Sequence, residues 1–146
     1  MRNDVTWVLV ANSSQAKFYR LVKFPKIQEI DSLIHPESRL LEKDLIADSE
    51  PGRTFQRGGT TRHSYQAKHG PKELEADKFA KNVAEYLSAA CVKGEFTRLY
   101  VFANQSFLGM LRLHIDDKTR KMLVAEVPKD MTECKISDVE HHIAEL

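Results

Sequence analysis

Val5-Thr6-Trp7-Val8-Leu9-Val10-Ala11 is a nearly unbroken run of apolar, β-branched and aromatic residues. A strand with one wet face alternates polar and apolar residues. Continuous apolarity instead predicts a strand covered on both faces, as at the centre of an α/β sheet. Leu99 to Ala103 (Leu-Tyr-Val-Phe-Ala) has the same texture and is the second central strand.

Working outward, Asn12-Ser13-Ser14 is turn chemistry. Ala16 to Val22 gives a second strand with mixed faces. After a break at Phe24-Pro25, Ile27 to Leu33 gives a third, so the chain opens as an antiparallel meander. His35-Pro36-Glu37-Ser38-Arg39 ends it, and Ser38 to Ala47 is short, charged and compatible with a helix. From Pro71 a long helix follows. Proline suits the first helical position, and Glu73, Glu75 and Asp77 sit where the helix dipole favours anions. Ala76, Phe79, Ala80, Val83, Leu87, Ala90 and Cys91 keep a 3.6-residue stripe, and Lys93-Gly94 supplies the stop. Phe107 to Ile115 is helical in pattern, Leu123 to Val127 is a last strand, and Ile136 to Leu146 is a last helix.

The order is β-β-β, a basic loop, then α-β-α-β-α. Alternation in the second half implies parallel pairing there, and the meander adds antiparallel strands to the same sheet. The expected fold is a three-layer mixed α/β domain of about five strands with flanking helices, an order found in ribonuclease H-like topologies. With 146 residues, the chain is expected to be a single domain over 1–146, since one core serves ~100 to 200 residues.

Lys plus Arg is 22 and Asp plus Glu is 21, a net charge of +1. That balance excludes a uniformly basic coat and leaves room for a local patch. The patch is residues 51–72: Pro-Gly-Arg-Thr-Phe-Gln-Arg-Gly-Gly-Thr-Thr-Arg-His-Ser-Tyr-Gln-Ala-Lys-His-Gly-Pro-Lys. It carries Arg53, Arg57, Arg62, Lys68 and Lys72 without one Asp or Glu, and four of the chain's six glycines. A structureless loop of roughly 20 residues is rare in a compact domain and usually functional or disordered. Cations without anions cannot neutralise one another, so the loop calls for a polyanion or a distant acidic face. Gly58 and Gly59 let backbone amides approach an anion closely. Phe55, His63 and Tyr65 interleave flat rings that can stack on unpaired bases, and arginine grips phosphate bidentately. The candidate RNA- and phosphate-binding residues are Arg53, Arg57, Gly58, Gly59, Thr60, Arg62, His63, Tyr65 and Lys68. Composition leaves three readings open: a nucleic-acid contact, a solvated loop without ligand, and docking to an acidic face of another protein.

Other chemistry is less well supported. A two-metal nuclease needs carboxylates converging from strand centres, and Asp31, Asp44, Asp48, Asp116 and Asp117 do not lie inside the central strands. Asp116-Asp117 reads as the start of a turn or helix. His35, His63, His69, His114, His141 and His142 show no metal spacing, and His63-Ser64 are too close in sequence for a catalytic pair. No metal or cofactor is expected. Asn104-Gln105-Ser106 follows a strand, where α/β sheets often bind ligands, and equally suits a helix cap. Trp7, Phe18 and Tyr19 are expected in the core. Cys91 and Cys134 have no short-range partner and are expected as two buried thiols in a reducing compartment. The Trp7–Ala11 run is too short for a signal-peptide core, and no stretch approaches ~20 apolar residues. The expected location is the cytoplasm.

Trp7-Val8-Leu9-Val10-Ala11-Asn12, Ala16-Lys17-Phe18-Tyr19, His35-Pro36-Glu37-Ser38-Arg39, Pro51-Gly52-Arg53, Arg62-His63, Phe79-Ala80 and Phe107-Leu108-Gly109 occur in an order and spacing that resemble the bacterial family named "protein required for attachment to host cells", from near residue 5 to near residue 138. That name describes a phenotype and implies no chemistry. More distantly, the chain resembles the middle domain of archaeal and eukaryotic peptide-chain release factors. Those domains have a ribonuclease H-like fold in which a strand runs into a basic Gly-Gly-Gln loop and then a long helix. Arg57-Gly58-Gly59-Thr60 takes the loop's place here, and Pro71 to Lys93 the helix. The resemblance implies contact with ribosomal or transfer RNA. Thr60 stands where the glutamine would, and a threonine lacks the amide that helps water attack a peptidyl-tRNA ester, so a binding protein is expected rather than an enzyme. The alternatives are a protein–protein interaction factor needed indirectly for attachment, and a peptidyl-tRNA-type ester hydrolase.

Overall fold

β1 (Thr6–Ala11) is buried at every residue, and its alternation assigns the two layers that cover it. Trp7, Leu9 and Ala11 belong to the core on one face, Val8 and Val10 to the core on the other. The computed structural model describes residues 4–35 and 71–146. β2 (Gln15–Lys23) and β3 (Lys26–Ile34) continue as the antiparallel meander, while β4 (Arg98–Ala103) and β5 (Leu123–Val127) pair in parallel on the far side. The sheet order is β3-β2-β1-β4-β5. Two central strands read from the sequence as continuous apolar runs are thus the paired centre, from Thr6↔Arg98 to Ala11↔Ala103.

Four helices lie among the described residues: α1 (Pro71–Val92), α2 (Gln105–His114), α3 (Asp117–Arg120) and α4 (Ile136–Ala144). The predicted stripe of α1 is buried along its whole length and packs with Phe107, Leu108 and Leu111 of α2 on the Trp7 face. Val139 and Ile143 of α4 pack on the Val8 face with Phe102 and Val127. Helices on both faces of a mixed sheet make three layers, consistent with the ribonuclease H-like arrangement. α3 is the single turn expected at Asp116-Asp117; the Asp116 side chain accepts from Thr119 N at 3.0 Å and caps it. The helix expected over 38–47 lies outside the described residues.

Trp7, Phe18 and Tyr19 are core residues, at 3%, 0% and 4% exposure. Trp7 stacks on Phe96 (4.9 Å between centroids), and Phe18 stacks on Tyr86 (4.3 Å). One expectation needs correcting. Cys91 is buried, but Cys134 is exposed, because the loop before α4 carries it on the surface rather than on a core-facing stripe.

α1 ends as Lys93-Gly94 foretold. Gly94 has φ +75°, its N–H donates to Cys91 O (3.0 Å), and Glu95 N–H donates to Ala90 O (2.9 Å). This nested pair satisfies the last helical carbonyls in the left-handed ending that glycine favours. A Cβ at Gly94 would meet nothing within 4 Å, so only the backbone opposes substitution. Gly94→Ala is expected to lower unfolding free energy by about 1 kcal/mol, read as a lower urea midpoint with unchanged slope. An unchanged midpoint would contradict this account of the helix stop.

Candidate functional site

The register brings one set of chain ends to one rim. Ala11 pairs with both Ala16 and Ala103, Gln15 with Ile34, and Phe102 with Val127. Asn12, His35, Asn104 and Pro128 therefore all follow at the same end of the sheet, the end where the parallel strands finish. α/β folds most often carry ligands there.

His35 is the last described residue before the basic stretch, and α1 opens after it. Its backbone N–H donates to Ser14 O (2.9 Å). Its ring is buried at 5% exposure, stacks on Phe79 of α1 (5.0 Å between centroids, 27° between planes) and puts Nε2 3.2 Å from Glu75 Oε1. Glu75 Oε2 also accepts from Lys78 at 3.3 Å. One histidine thus ties the end of β3 to the first turns of α1. Phe79 in turn approaches Phe107 of α2 (5.9 Å), so the rim is floored by three aromatic rings. Beside it, Leu33, Ile34, His35, Phe79, Asn82, Glu85 and Tyr86 line an open cavity of about 720 Å³. It lies between the edge strand β3 and α1.

Across the rim a polar network ties β1 to the loop after β5. Asn12 Nδ2 donates to Asp130 Oδ2 (3.0 Å) and Thr132 Oγ1 (3.1 Å), and its Oδ1 accepts from the amides of Ser14 and Gln15. Asp130 Oδ1 accepts from the amide (3.0 Å) and hydroxyl (2.7 Å) of Thr132, and Lys17 Nζ donates to Thr132 O (3.0 Å). Burial alone would push the Asp130 carboxyl up. The bonds from Asn12 and Thr132 outweigh it and hold the carboxyl below its usual 3.8. Asn104 occupies the N-cap of α2 in extended geometry but does not cap it. Its Nδ2 donates to Ser106 Oγ (3.0 Å), while its buried Oδ1 has no partner among the described residues.

Arg53, Arg57, Gly58, Gly59, Thr60, Arg62, His63, Tyr65 and Lys68 lie outside the described residues, as do Asp44, Asp48 and His69. The remaining sequence candidates are engaged elsewhere. Asp31 accepts from the Tyr86 hydroxyl, and burial, that bond and the charges of Asp31 and Glu95 push the phenol up. Asp116 caps α3 and accepts from Ser88. His114 sits 3.0 Å from Asp77, His141 3.1 Å from Glu145, and His142 edges the ring of Phe102. Among the described residues, no group of three or more His, Cys, Asp or Glu could hold a metal, and no helix is long and apolar enough to cross a membrane.

Two contributors escaped the sequence reading. His35 was only a strand end, and Asn12 only a turn residue. The signal for Asn12 was the Asn-Ser-Ser turn itself, since a turn asparagine spends one side-chain oxygen on local amides and leaves its amide group for a distant acceptor.

A carboxyl held low in the folded protein contributes stability above its unfolded value, and that contribution disappears as pH falls through the folded value. Wild-type protein is therefore expected to lose more stability on acidification below about pH 4 than Asp130→Asn, compared by urea unfolding across the acid range. Identical acid profiles would contradict the role given to Asp130.

Comparison with known proteins bears on the same scaffold. No curated protein matches the chain. A crystal structure of an archaeal translation termination factor superimposes with a TM-score of 0.49 at 15% identity, over 97% of this chain and 37% of that one. The chain therefore spans well under half the length of that protein. The family model described as "Protein required for attachment to host cells" matches residues 7–143, which include β1, the His35 rim, all four helices in whole or nearly so, and the stretch between 35 and 71. The chain belongs to the family of proteins required for attachment to host cells.

Proposed function

We propose that this chain binds ribosomal or transfer RNA in the cytoplasm through the 51–72 stretch, as a binding protein rather than an enzyme. In this reading Arg53, Arg57, Arg62 and Lys68 contact phosphates. Gly58, Gly59 and Thr60 bring backbone amides close to the anion, and His63 or Tyr65 stacks on a base. The observation that carries the reading is a charge imbalance. The chain as a whole is nearly neutral, yet these 22 positions hold five cations and no acid. On the described side, His35 at the end of β3 is held against Phe79 and Glu75 of the helix into which the stretch runs.

The family's description favours a second reading, in which the same cations dock an acidic protein and attachment is affected indirectly. The two differ in a simple way: RNA association is destroyed by nuclease, and association with an acidic protein is not.

Filter binding to ribosomal and transfer RNA across a salt series tests the first reading. Counterion release gives log K a slope of roughly −0.7 per phosphate contacted on single strands. The Arg53→Ala/Arg57→Ala/Arg62→Ala variant is expected to bind more weakly at every salt concentration and to flatten the slope by about 2. Equal affinities and equal slopes for the two proteins would remove 51–72 as the RNA surface.

A further inference from the structure

The end of the molecule opposite the His35 rim carries a different surface. β2 and β3 are joined by a two-residue turn, Phe24-Pro25, between the paired residues Lys23 and Lys26. Val22 and Phe24 stand 61% and 60% exposed, while Leu21 just before them packs on the core. Apolar residues exposed singly are ordinary on a protein surface. Here two of them, on either side of Lys23, share a hairpin tip with a facing pair of like charges. Lysines directly opposite on neighbouring strands repel each other. The one described acidic partner at this tip is Glu140, 3.7 Å from Lys26, whose side chain remains 72% exposed.

We propose that the Val22–Lys26 tip inserts into an anionic lipid surface. The apolar pair and the cations make different demands, and one environment meets both. Negatively charged headgroups relieve the Lys23–Lys26 repulsion, and Val22 and Phe24 leave water for the acyl boundary below them. A two-residue turn does not itself form a groove for a peptide. Phe24 could stack on a base, but Val22 gains nothing from a nucleic acid, so a bilayer fits the tip better than RNA does. The contact is shallow and reversible, since two side chains and two cations fall far short of a permanent anchor. It lies at the other end of the sheet from His35 and the start of α1, and it stands whether or not residues 51–72 bind RNA.

The test is co-sedimentation of the full-length protein with vesicles of phosphatidylcholine alone and of phosphatidylcholine mixed with phosphatidylglycerol. Binding is expected to the mixed vesicles and to weaken with added salt. Lys23→Ala should weaken it about fivefold, and Phe24→Ala roughly tenfold. Both positions are exposed, and thermal unfolding of each variant checks that the fold is intact. In Phe24→Trp, a blue shift of emission on adding mixed vesicles, absent with phosphatidylcholine alone, would place the side chain below the headgroups. Three results would overturn the proposal: no wild-type binding to mixed vesicles, equal binding to both compositions, or unchanged binding in the Val22→Ser/Phe24→Ser variant. RNA affinity measured on the same tip variants separates the two sites, since it should not change. A drop in RNA affinity with vesicle binding intact would reassign the tip to nucleic acid.

Discussion

The burial of β1 on both of its faces is the constraint from which the rest of the structure follows. A strand with no exposed residue needs a strand on each side for its backbone and a helical layer above and below for its side chains. β2 and β4 meet the first demand, α1 with α2 and α4 the second. Ala11, Ala16 and Ala103 lie side by side at the end of the strand at 0% exposure. These three short side chains share one core with the rings of Phe79 and Phe107. Larger residues at those positions would overpack the layer and push α1 away from the sheet.

At the rim, His35 stacks on Phe79 and reaches Glu75, which pins the end of β3 to the start of α1. Asn12 does similar work at the end of β1, where two hydrogen bonds join the β1–β2 turn to the loop after β5 and two more close the turn itself. The proposed RNA-contacting stretch runs directly into α1, whose first turns His35 holds to the end of β3. The chemistry assigned to it rests on charge and glycine content, and the scaffold's part is to mount it.

Much of this was legible from residue order. The unbroken apolar runs at 5–11 and 99–103 gave the paired centre of the sheet. The stripe from Ala76 to Cys91 gave α1, and Lys93-Gly94 gave its end, because each rests on a local rule of period or φ. What stayed hidden depends on distance in sequence. His35 meets Glu75 forty residues on, and Asn12 meets Asp130 and Thr132 about 120 residues on. No period links such pairs; only the strand register brings them together. Cys134 was misplaced for a related reason. Cysteine's usual burial is a tendency of the residue type, whereas its exposure here follows from the loop that delivers the chain to α4. The candidate RNA residues were chosen on charge, which marks a partner's sign without giving a geometry.

The central claim is that this chain meets a polyanion carried by the translation machinery. Sedimentation of cell extract through a ribosome gradient tests it most directly, with the protein detected in each fraction before and after ribonuclease treatment. The proposed role predicts that the protein travels with ribosomal or transfer-RNA fractions at low salt and returns to the top of the gradient once the RNA is digested. A protein that stays at the top in untreated extract, or that keeps its heavy position after digestion, would contradict it.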